Sequence, residues 1–156
     1  MKRESEGQAI VKLEQLIGIL PEDLDAMLDE ARGEGYRMLD RLALEWDAGT
    51  TRFNRPGEAL FAAYASGELA GIGGLTVEPA IPGALPMRRF FVRRPFRRCG
   101  IARRLALALL DRPETSGRPI TVNAAASSEP FWESLGFVPD RHDGHSHIFP
   151  AAASRR

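Results

Sequence analysis

The residues best placed to do chemistry form a short run in which arginines surround a glycine at the start of a predicted helix. Val92 ends an apolar segment, Pro95 and Gly100 mark a sharp turn, and Ile101 begins a helical pattern. The first turn of a helix offers backbone N–H groups without intrahelical partners, at the positive end of the helix dipole. Because Gly100 has no side chain and Ala102 a small one, an anion can approach this backbone closely. The pattern predicts a site for a pyrophosphate-like anion.

The charge distribution also favours an anionic ligand here. The 156 residues have a formal net charge of zero, but residues 87–110 contain eight arginines and no acidic residue, whereas residues 1–58 carry 13 acidic and 8 basic residues. The eight are Arg88, Arg89, Arg93, Arg94, Arg97, Arg98, Arg103 and Arg104. A solvated arginine-rich face is the alternative interpretation. A local charge of this size indicates an anionic partner more strongly than the sum over the chain does.

The elements that position this turn follow from hydrophobic periodicity. Helices are predicted to begin at Pro21, near Tyr36 and at Ile101, and a fourth to be capped by Ser127 or Ser128. Strands are predicted at residues 9–16 (which could also be helical), 58–64, 69–77, 87–92 and 120–123, with weaker ones at 137–138 and 147–149. The resulting order, β-α-α-β-β-β-α-β-α-β-β, predicts a single mixed α/β domain.

Length and composition are those of one soluble globular domain. Hydrophobic residues make up 44% and charged residues 27%, which argues against disorder, and no apolar run is long enough to span a bilayer. The N-terminus lacks the apolar core of a signal peptide, and the single Cys99 cannot form an internal disulfide, so we expect a cytoplasmic protein. We expect flexible tails at residues 1–8 and 151–156 around a domain of residues 9–150.

Two motifs resemble signatures of the GNAT superfamily of acyl-CoA-dependent N-acetyltransferases. Arg97-x-x-Gly100-x-Ala102 is similar to the family's Gln/Arg-x-x-Gly-x-Gly/Ala segment, and Val92-x-x-Pro95 precedes it as the family's strand end does. The segment from Phe131 to Phe137, FWESLGF, is similar to the family's Phe-Tyr-x-x-x-Gly-Phe. The resemblance spans most of the chain. It implies a mostly antiparallel sheet with flanking helices and a V-shaped splay between central strands.

The resemblance also implies how a cosubstrate, acetyl-CoA, would bind. We expect no metal, because the histidines near the C-terminus lack further ligands. The backbone of Phe90, Phe91 and Val92 would pair with the pantetheine arm as an added strand would. Asn123 is a candidate contact to that arm, and Arg97 would add positive charge at the turn. The backbone amides implied to hold the pyrophosphate are those of Arg98, Cys99, Gly100, Ile101, Ala102 and Arg103. An amine would attack the thioester carbonyl directly, with a strand amide as the oxyanion donor.

The catalytic acid and base are open. Trp132 occupies the position of the family's proton-donating tyrosine, and an indole N–H is not a usable acid at neutral pH. Another group or water must then protonate the thiolate, or the site is slow. Some family members carry a catalytic glutamate early in this strand, where the present chain has Pro86, so that assignment does not transfer. Glu78 and His147 are therefore the candidate bases. A solvated loop acid is the alternative interpretation of Glu78.

Acceptor-binding residues are predicted in two places. In the family, the loop after the second helix often covers the acceptor pocket, which implicates Trp46 and Arg52; a core-edge tryptophan is the alternative. Strand alternation predicts that only one of Arg88 and Arg89 faces the slot, with Arg88 our candidate. An arginine there would fit an acceptor with an anionic group.

The remaining signals favour structural roles. His142, His145 and His147 lack further Cys/His support for a metal site. The glycines between Gly71 and Gly74 predict close packing or a bulge, because no helix follows as in a dinucleotide loop.

The sequence therefore predicts an N-acetyltransferase acting on a primary amine of a small molecule or an exposed peptide. A non-catalytic acyl-CoA-binding domain is the alternative, and a nucleic-acid-binding domain comes third. We expect no membrane partner. Because dimers are common in the family, the resemblance also implies a homodimer.

Overall fold

Seven strands of the described residues form one sheet. The computed structural model describes residues 10–77, 82–142 and 144–150, so both predicted tails lie outside it. The strands are β1 (Val11–Gln15), β2 (Ala59–Ala65), β3 (Glu68–Leu75), β4 (Leu85–Val92), β5 (Ile120–Val122), β6 (Val138–His142) and β7 (His145–Phe149). They lie in the order β1-β2-β3-β4-β5-β7-β6. Neighbouring strands are antiparallel except β4 and β5, which are parallel.

Helices cover both faces of this sheet. They are α1 (Leu24–Gly33), α2 (Met38–Ala48), α3 (Ile101–Leu110) and α4 (Glu129–Ser134). With the strands they give the predicted order of elements, and the mixed α/β fold is confirmed. Among the described residues, no helix combines the length and the apolar character needed to cross a bilayer.

Period-two alternation along β2 separates the layers. Leu60 and Ala62 pack against the buried stripes of α1 and α2, whereas Ala63 and Ala65 pack with Ile101 of α3. The stripes have helical spacing: Leu24, Met27, Leu28 and Ala31 in α1, and Leu39, Leu42 and Trp46 in α2. Strand β4 belongs to the same sheet and contacts both α2 and α3, so it also has helices on its two faces. It is the strand that borders the predicted slot.

The sheet opens between β4 and β5. These strands pair only at Leu85–Ile120 and Pro86–Thr121 among the described residues, and the predicted V-shaped splay begins beyond that point. On the opposite edge of β4 the pairing with β3 shifts register, so that two β4 residues, 89 and 90, lie opposite Gly73. A bulge of this kind bends a strand and increases its twist. The bulge lies a few residues beyond the last pair between β4 and β5, Pro86–Thr121.

Glycines of β3 make room for the bulge, as the close-packing interpretation predicted. A Cβ at Gly73 would lie 2.7–2.8 Å from three ring atoms of Phe90, and one at Gly71 would lie 3.2 Å from the carbonyl oxygen of Phe91. Only a residue without a side chain leaves this space. Gly73 thus sets the position of the Phe90 ring.

The predicted serine cap of the fourth helix is wrong. A short 3-10 turn over Ala126–Ser128 leads into α4, and Ser128 already has helical dihedral angles with no side-chain cap. Its hydroxyl instead donates to the carbonyl oxygen of Ala125 at 3.0 Å.

Candidate active site

A cleft of about 510 Å³ opens where β4 and β5 diverge. One wall is β4, from Met87 to Val92, and the other is the segment after β5 together with α4. The remaining lining residues are Tyr36, Met38, Arg97, Ala102, Val122, Asn123, Ala124, Ala125, Ser127, Ser128, Phe131 and Trp132. All of the predicted pantetheine contacts on β4, and Asn123, therefore border the cleft.

A second cleft of about 320 Å³ lies at the N-terminus of α3. Its lining contains most of the predicted pyrophosphate segment: Arg98, Gly100, Ile101, Ala102 and Arg103. The two clefts share Val92, Arg97, Ala102 and Phe131, so they form one groove. The exposed Cys99 lines neither cleft, and its thiol lies 3.5 Å from the carbonyl oxygen of Arg97.

The turn before α3 presents unpaired backbone donors. Arg98 and Gly100 both have positive φ, 64° and 79°. The first intrahelical bond runs from the amide of Arg104 to the carbonyl oxygen of Gly100, which leaves the amides of residues 101–103 without an intrahelical partner. A Cβ at Gly100 would meet no atom within 4 Å. The turn can therefore receive an anion over an open backbone.

Three acidic residues, in α1, directly after α1 and in α2, pair with four of the eight arginines of the run. Glu30 holds Arg93 through contacts of 2.8 and 3.1 Å, and this hydrogen bonding raises the pKa of Arg93. Glu34 lies 2.9 Å from Arg97 and 3.8 Å from Arg94. The fourth pair joins Arg89 to Glu45 at 2.9 Å.

The charge that remains is concentrated at the turn. Arg98, Arg103 and Arg104 have no acidic partner in the described part of the chain, and the first two line the second cleft. This distribution favours a localised anion site over an extended surface for nucleic acid, because the paired arginines already have counter-charges within the fold.

Arg88 and Arg89 both line the cleft, which corrects the prediction that only one would. The reason is the bulge: Arg89 has a positive φ of 64°, and this interrupts the alternation of side chains. Arg88 donates from Nε to the hydroxyl of Thr76 at 3.2 Å. The Arg89 side chain is only 9% exposed.

Trp132 forms part of an aromatic cluster in the cleft wall. It is 4% exposed and packs edge-to-face on Phe90, Phe131 and Phe137, with ring centroids 4.9–5.3 Å apart. Such contacts hold large rings rigidly. Trp132 therefore shapes the wall beside Phe90.

His147, one of the two predicted bases, does not line the described cleft. His147 is fully buried outside both clefts, because its ring is held between the Glu133 carboxylate and the Ser146 hydroxyl, each 2.8 Å away. Glu78 lies outside the described residues. Among the described lining residues there is no carboxylate and no imidazole.

The predicted acceptor loop folds away from the cleft. Trp46 is 6% exposed in the core because it continues the apolar stripe of α2, and Arg52 donates from Nε to its carbonyl oxygen at 2.8 Å. Tyr36 and Met38, at the connection between α1 and α2, line the cleft instead. Neither residue was predicted to lie there. The two glycines Gly33 and Gly35 do indicate that the chain leaves the helix just before this segment.

Among the described residues, two groups on α4, β6 and β7 have ligand atoms within 4.8 Å of one another and could hold a metal ion. One comprises Asp140, His142 and His145, and the other comprises Glu129, Glu133 and His147. The hydrogen bond from His145, 3.1 Å long, lowers the pKa of Asp140, with a further contribution from the charge of His142. Neither group borders the cleft.

Comparison with known proteins gives a consistent family. A family model described as an acetyltransferase (GNAT) domain matches residues 27–149. No curated protein sequence matches the chain. Among solved structures, a protein from Exiguobacterium sp. 255-15 assigned as an acetyltransferase has a TM-score of 0.81 at 18% identity, over 90% of this chain and 93% of that one.

Two further structures share the fold. An acetyltransferase from Streptococcus agalactiae 2603 has a TM-score of 0.66 at 14% identity, covering 88% of this chain and 95% of that one. Glucosamine-6-phosphate N-acetyltransferase from Arabidopsis thaliana has a TM-score of 0.58 at 13% identity, covering 85% and 95%.

Proposed function

The chain belongs to the GNAT acetyltransferases, and we propose that it transfers an acetyl group from acetyl-CoA to a primary amine of a small molecule or an exposed peptide. The observation that carries the proposal is the continuous groove from the α3 N-terminus to the splay between β4 and β5. One structural neighbour is named as an N-acetyltransferase, which supports nitrogen as the acceptor atom.

The pyrophosphate of acetyl-CoA would bind at the start of α3. The free amides of residues 101–103 and the positive end of the helix dipole attract an anion. Arg98 and Arg103 line the same cleft and supply charge-assisted hydrogen bonds. Gly100, with no neighbour within 4 Å of its Cβ position, leaves the backbone accessible.

The pantetheine arm would extend along the edge of β4 that faces the splay. Beyond Pro86 this edge has no partner strand among the described residues, so its backbone polar groups need other partners. An extended ligand with amides can pair with them as an added strand does. The arm would pass residues 90–92, with Asn123 across the cleft, and bring the thioester to the bulge beside Phe90 and Trp132.

The reaction would be a direct transfer within this cleft. The neutral amine attacks the thioester carbonyl, the new C–N bond forms, and the C–S bond breaks. A backbone amide of the β4 bulge stabilises the developing oxyanion. The amine proton leaves to water or to Glu78, the candidate base outside the described residues, because no described lining residue is a carboxylate or an imidazole. Water also returns a proton to the thiolate, since Trp132 is not an acid.

Turnover measurements test this proposal. The protein is incubated with acetyl-CoA and a panel of primary amines, free thiol is measured, and products are identified by mass spectrometry. We expect amine-dependent thiol release with one acetylated amine per thiol, and no acetylated protein when amine is omitted. If acetyl-CoA stabilises the protein but no amine releases thiol above the buffer rate, the alternative of a non-catalytic acyl-CoA-binding domain replaces the proposal.

Trp132 is the observation that favours this alternative, because it removes the hydroxyl found at that position in the family.

A further inference from the structure

Arg89 is held in the cleft wall at a conformational and electrostatic cost. Its φ of 64° is a region that residues other than glycine, asparagine and aspartate rarely occupy. Its side chain is more than nine-tenths buried, and its Nε–H has no hydrogen-bond partner among the described residues. A buried, incompletely paired charge is unfavourable unless another group compensates for it. Because Arg89 lines the cleft, a ligand in the cleft is in a position to compensate.

Glu45 leaves the guanidinium largely available. The hydrogen bond from Nη2 of Arg89 to the Glu45 carboxylate, 2.9 Å long, is the only one that this group makes to a described residue. A guanidinium carries five N–H donors in a planar fork that matches carboxylate and phosphate oxygens. Glu45 does not line the cleft, and its side chain is 31% exposed. It therefore binds the Arg89 guanidinium from the side away from the cleft.

The described lining of the cleft offers no anionic group to a cation. It includes Arg88, Arg89 and Arg97 and no acidic side chain. A polyamine or another multiply charged cation would find no carboxylate to pair with among these residues. An amine that also carries a negative group would be attracted and oriented by the same residues.

From these observations we infer that the acceptor is an amine bearing an anionic group, a carboxylate or a phosphate, which the Arg89 guanidinium holds in the cleft. The inference rests on the proposed acetyl transfer and specifies its substrate class. It also accounts for the lack of a base among the described lining residues. Nearby positive charge disfavours the ammonium form, so a bound acceptor loses its proton to water more readily.

The test compares pairs of acceptors with and without an anionic group. The pairs are 3-aminopropanoate with 3-aminopropanamide, and 2-aminoethyl phosphate with 2-aminoethanol; kcat/KM is corrected for the fraction of neutral amine. We expect at least one anionic member to exceed its neutral counterpart by about tenfold or more, equivalent to about 1.4 kcal/mol. The pair that responds identifies carboxylate or phosphate as the group recognised.

Variants of Arg89 and Glu45 test whether Arg89 causes the preference for anionic over neutral acceptors. In Arg89→Gln the anionic-to-neutral ratio is expected to fall to about one. Arg89→Lys is expected to keep part of the ratio. Glu45→Gln removes the counter-charge of Arg89 and is expected to raise the ratio. Arg41→Gln is the matched control, since Arg41 is an exposed arginine of α2 outside the cleft.

Each outcome separates this inference from the proposed function. A wild-type ratio near one with measurable turnover, or a ratio unchanged in Arg89→Gln, overturns the inference and leaves acetyl transfer intact. If Arg89→Gln does not fold, an unchanged ratio in both Arg89→Lys and Glu45→Gln has the same consequence. Turnover of none of the four amines, while another amine of the panel releases thiol, also overturns the inference alone. Turnover of no amine in the whole panel, while acetyl-CoA still raises the Tm, overturns the proposed function as well.

Discussion

Gly73→Ala tests whether the packing between β3 and β4 sets the cleft wall. The added Cβ would lie 2.7–2.8 Å from three ring atoms of Phe90, 0.6–0.7 Å short of the 3.4 Å at which ordinary contact begins. Because Phe90 packs on Trp132 at 5.0 Å and lines the cleft, its ring can yield only by disturbing that wall. Overpacking of this size costs about 1–3 kcal/mol.

The assay is thermal unfolding combined with acetyl-CoA titration. For a chain of this length each kcal/mol lowers the Tm by about 2–4 °C, and displacement of Phe90 toward the pantetheine path is expected to weaken acetyl-CoA binding by about tenfold, or 1.4 kcal/mol. Phe90→Leu should relieve the overlap, so the double variant should be more stable than additivity of the two single changes implies.

Gly33→Ala is the matched control. Gly33 ends α1, has no atom within 4 Å of its Cβ position and has no positive φ, so alanine there is expected to leave binding unchanged and to add up to about 1 kcal/mol of stability. The reasoning is refuted if Gly73→Ala matches the wild type in both Tm and acetyl-CoA affinity, or if the two changes at 73 and 90 are additive.

Three further predictions follow from single contacts. Trp132→Phe is expected to lower stability by about 1–3 kcal/mol through lost packing while keeping kcat within about threefold; a hundredfold loss of kcat with intact acetyl-CoA binding would make Trp132 part of the chemistry. Arg93→Gln removes the contacts with Glu30 and is expected to cost about 1–2 kcal/mol in thermal unfolding; an unchanged Tm would show that this pair contributes nothing. Because His145 lowers the pKa of Asp140, the stability contributed by that carboxylate is present above the unfolded-state pKa near 4 and is lost as pH falls through the lower folded-state value. Asp140→Asn should therefore lower the Tm by less at pH 2.5 than at pH 6, and an equal loss at both would contradict the assignment.

Features set by local sequence were predictable. The Ser66-Gly67 turn has φ values of 50° and 87°, as the predicted hairpin between β2 and β3 requires. The open turn before α3 follows from Gly100 and the helical spacing after it. The splay was predicted only through the family resemblance. Nothing in the local sequence indicates that the pairing of β4 with β5 stops after Pro86 and Thr121.

Features set by tertiary contacts were not predictable. The pairing of Arg93 with Glu30 spans 63 positions. The sequence therefore did not indicate that the acidic residues of the first part of the chain pair with the arginine run. The bulge at Arg89 depends on Gly73 in the neighbouring strand, and strand alternation alone could not reveal it. His147 offered an imidazole by type, but its place in the fold is between Glu133 and Ser146.

Acetyl-CoA binding at the α3 turn is the central claim, and a thermal-shift titration with a matched pair of variants tests it most directly. Gly100→Glu puts a carboxylate at the predicted pyrophosphate site. Gly117→Glu is its control, because both glycines have a φ of 79° and open space around the Cβ position.

The wild type and Gly117→Glu are expected to gain about 2.7 kcal/mol at a hundredfold excess of acetyl-CoA over Kd, a rise in Tm of about 5 °C or more, while Gly100→Glu gains none. No shift in the wild type, or an equal shift in both variants, would contradict the account.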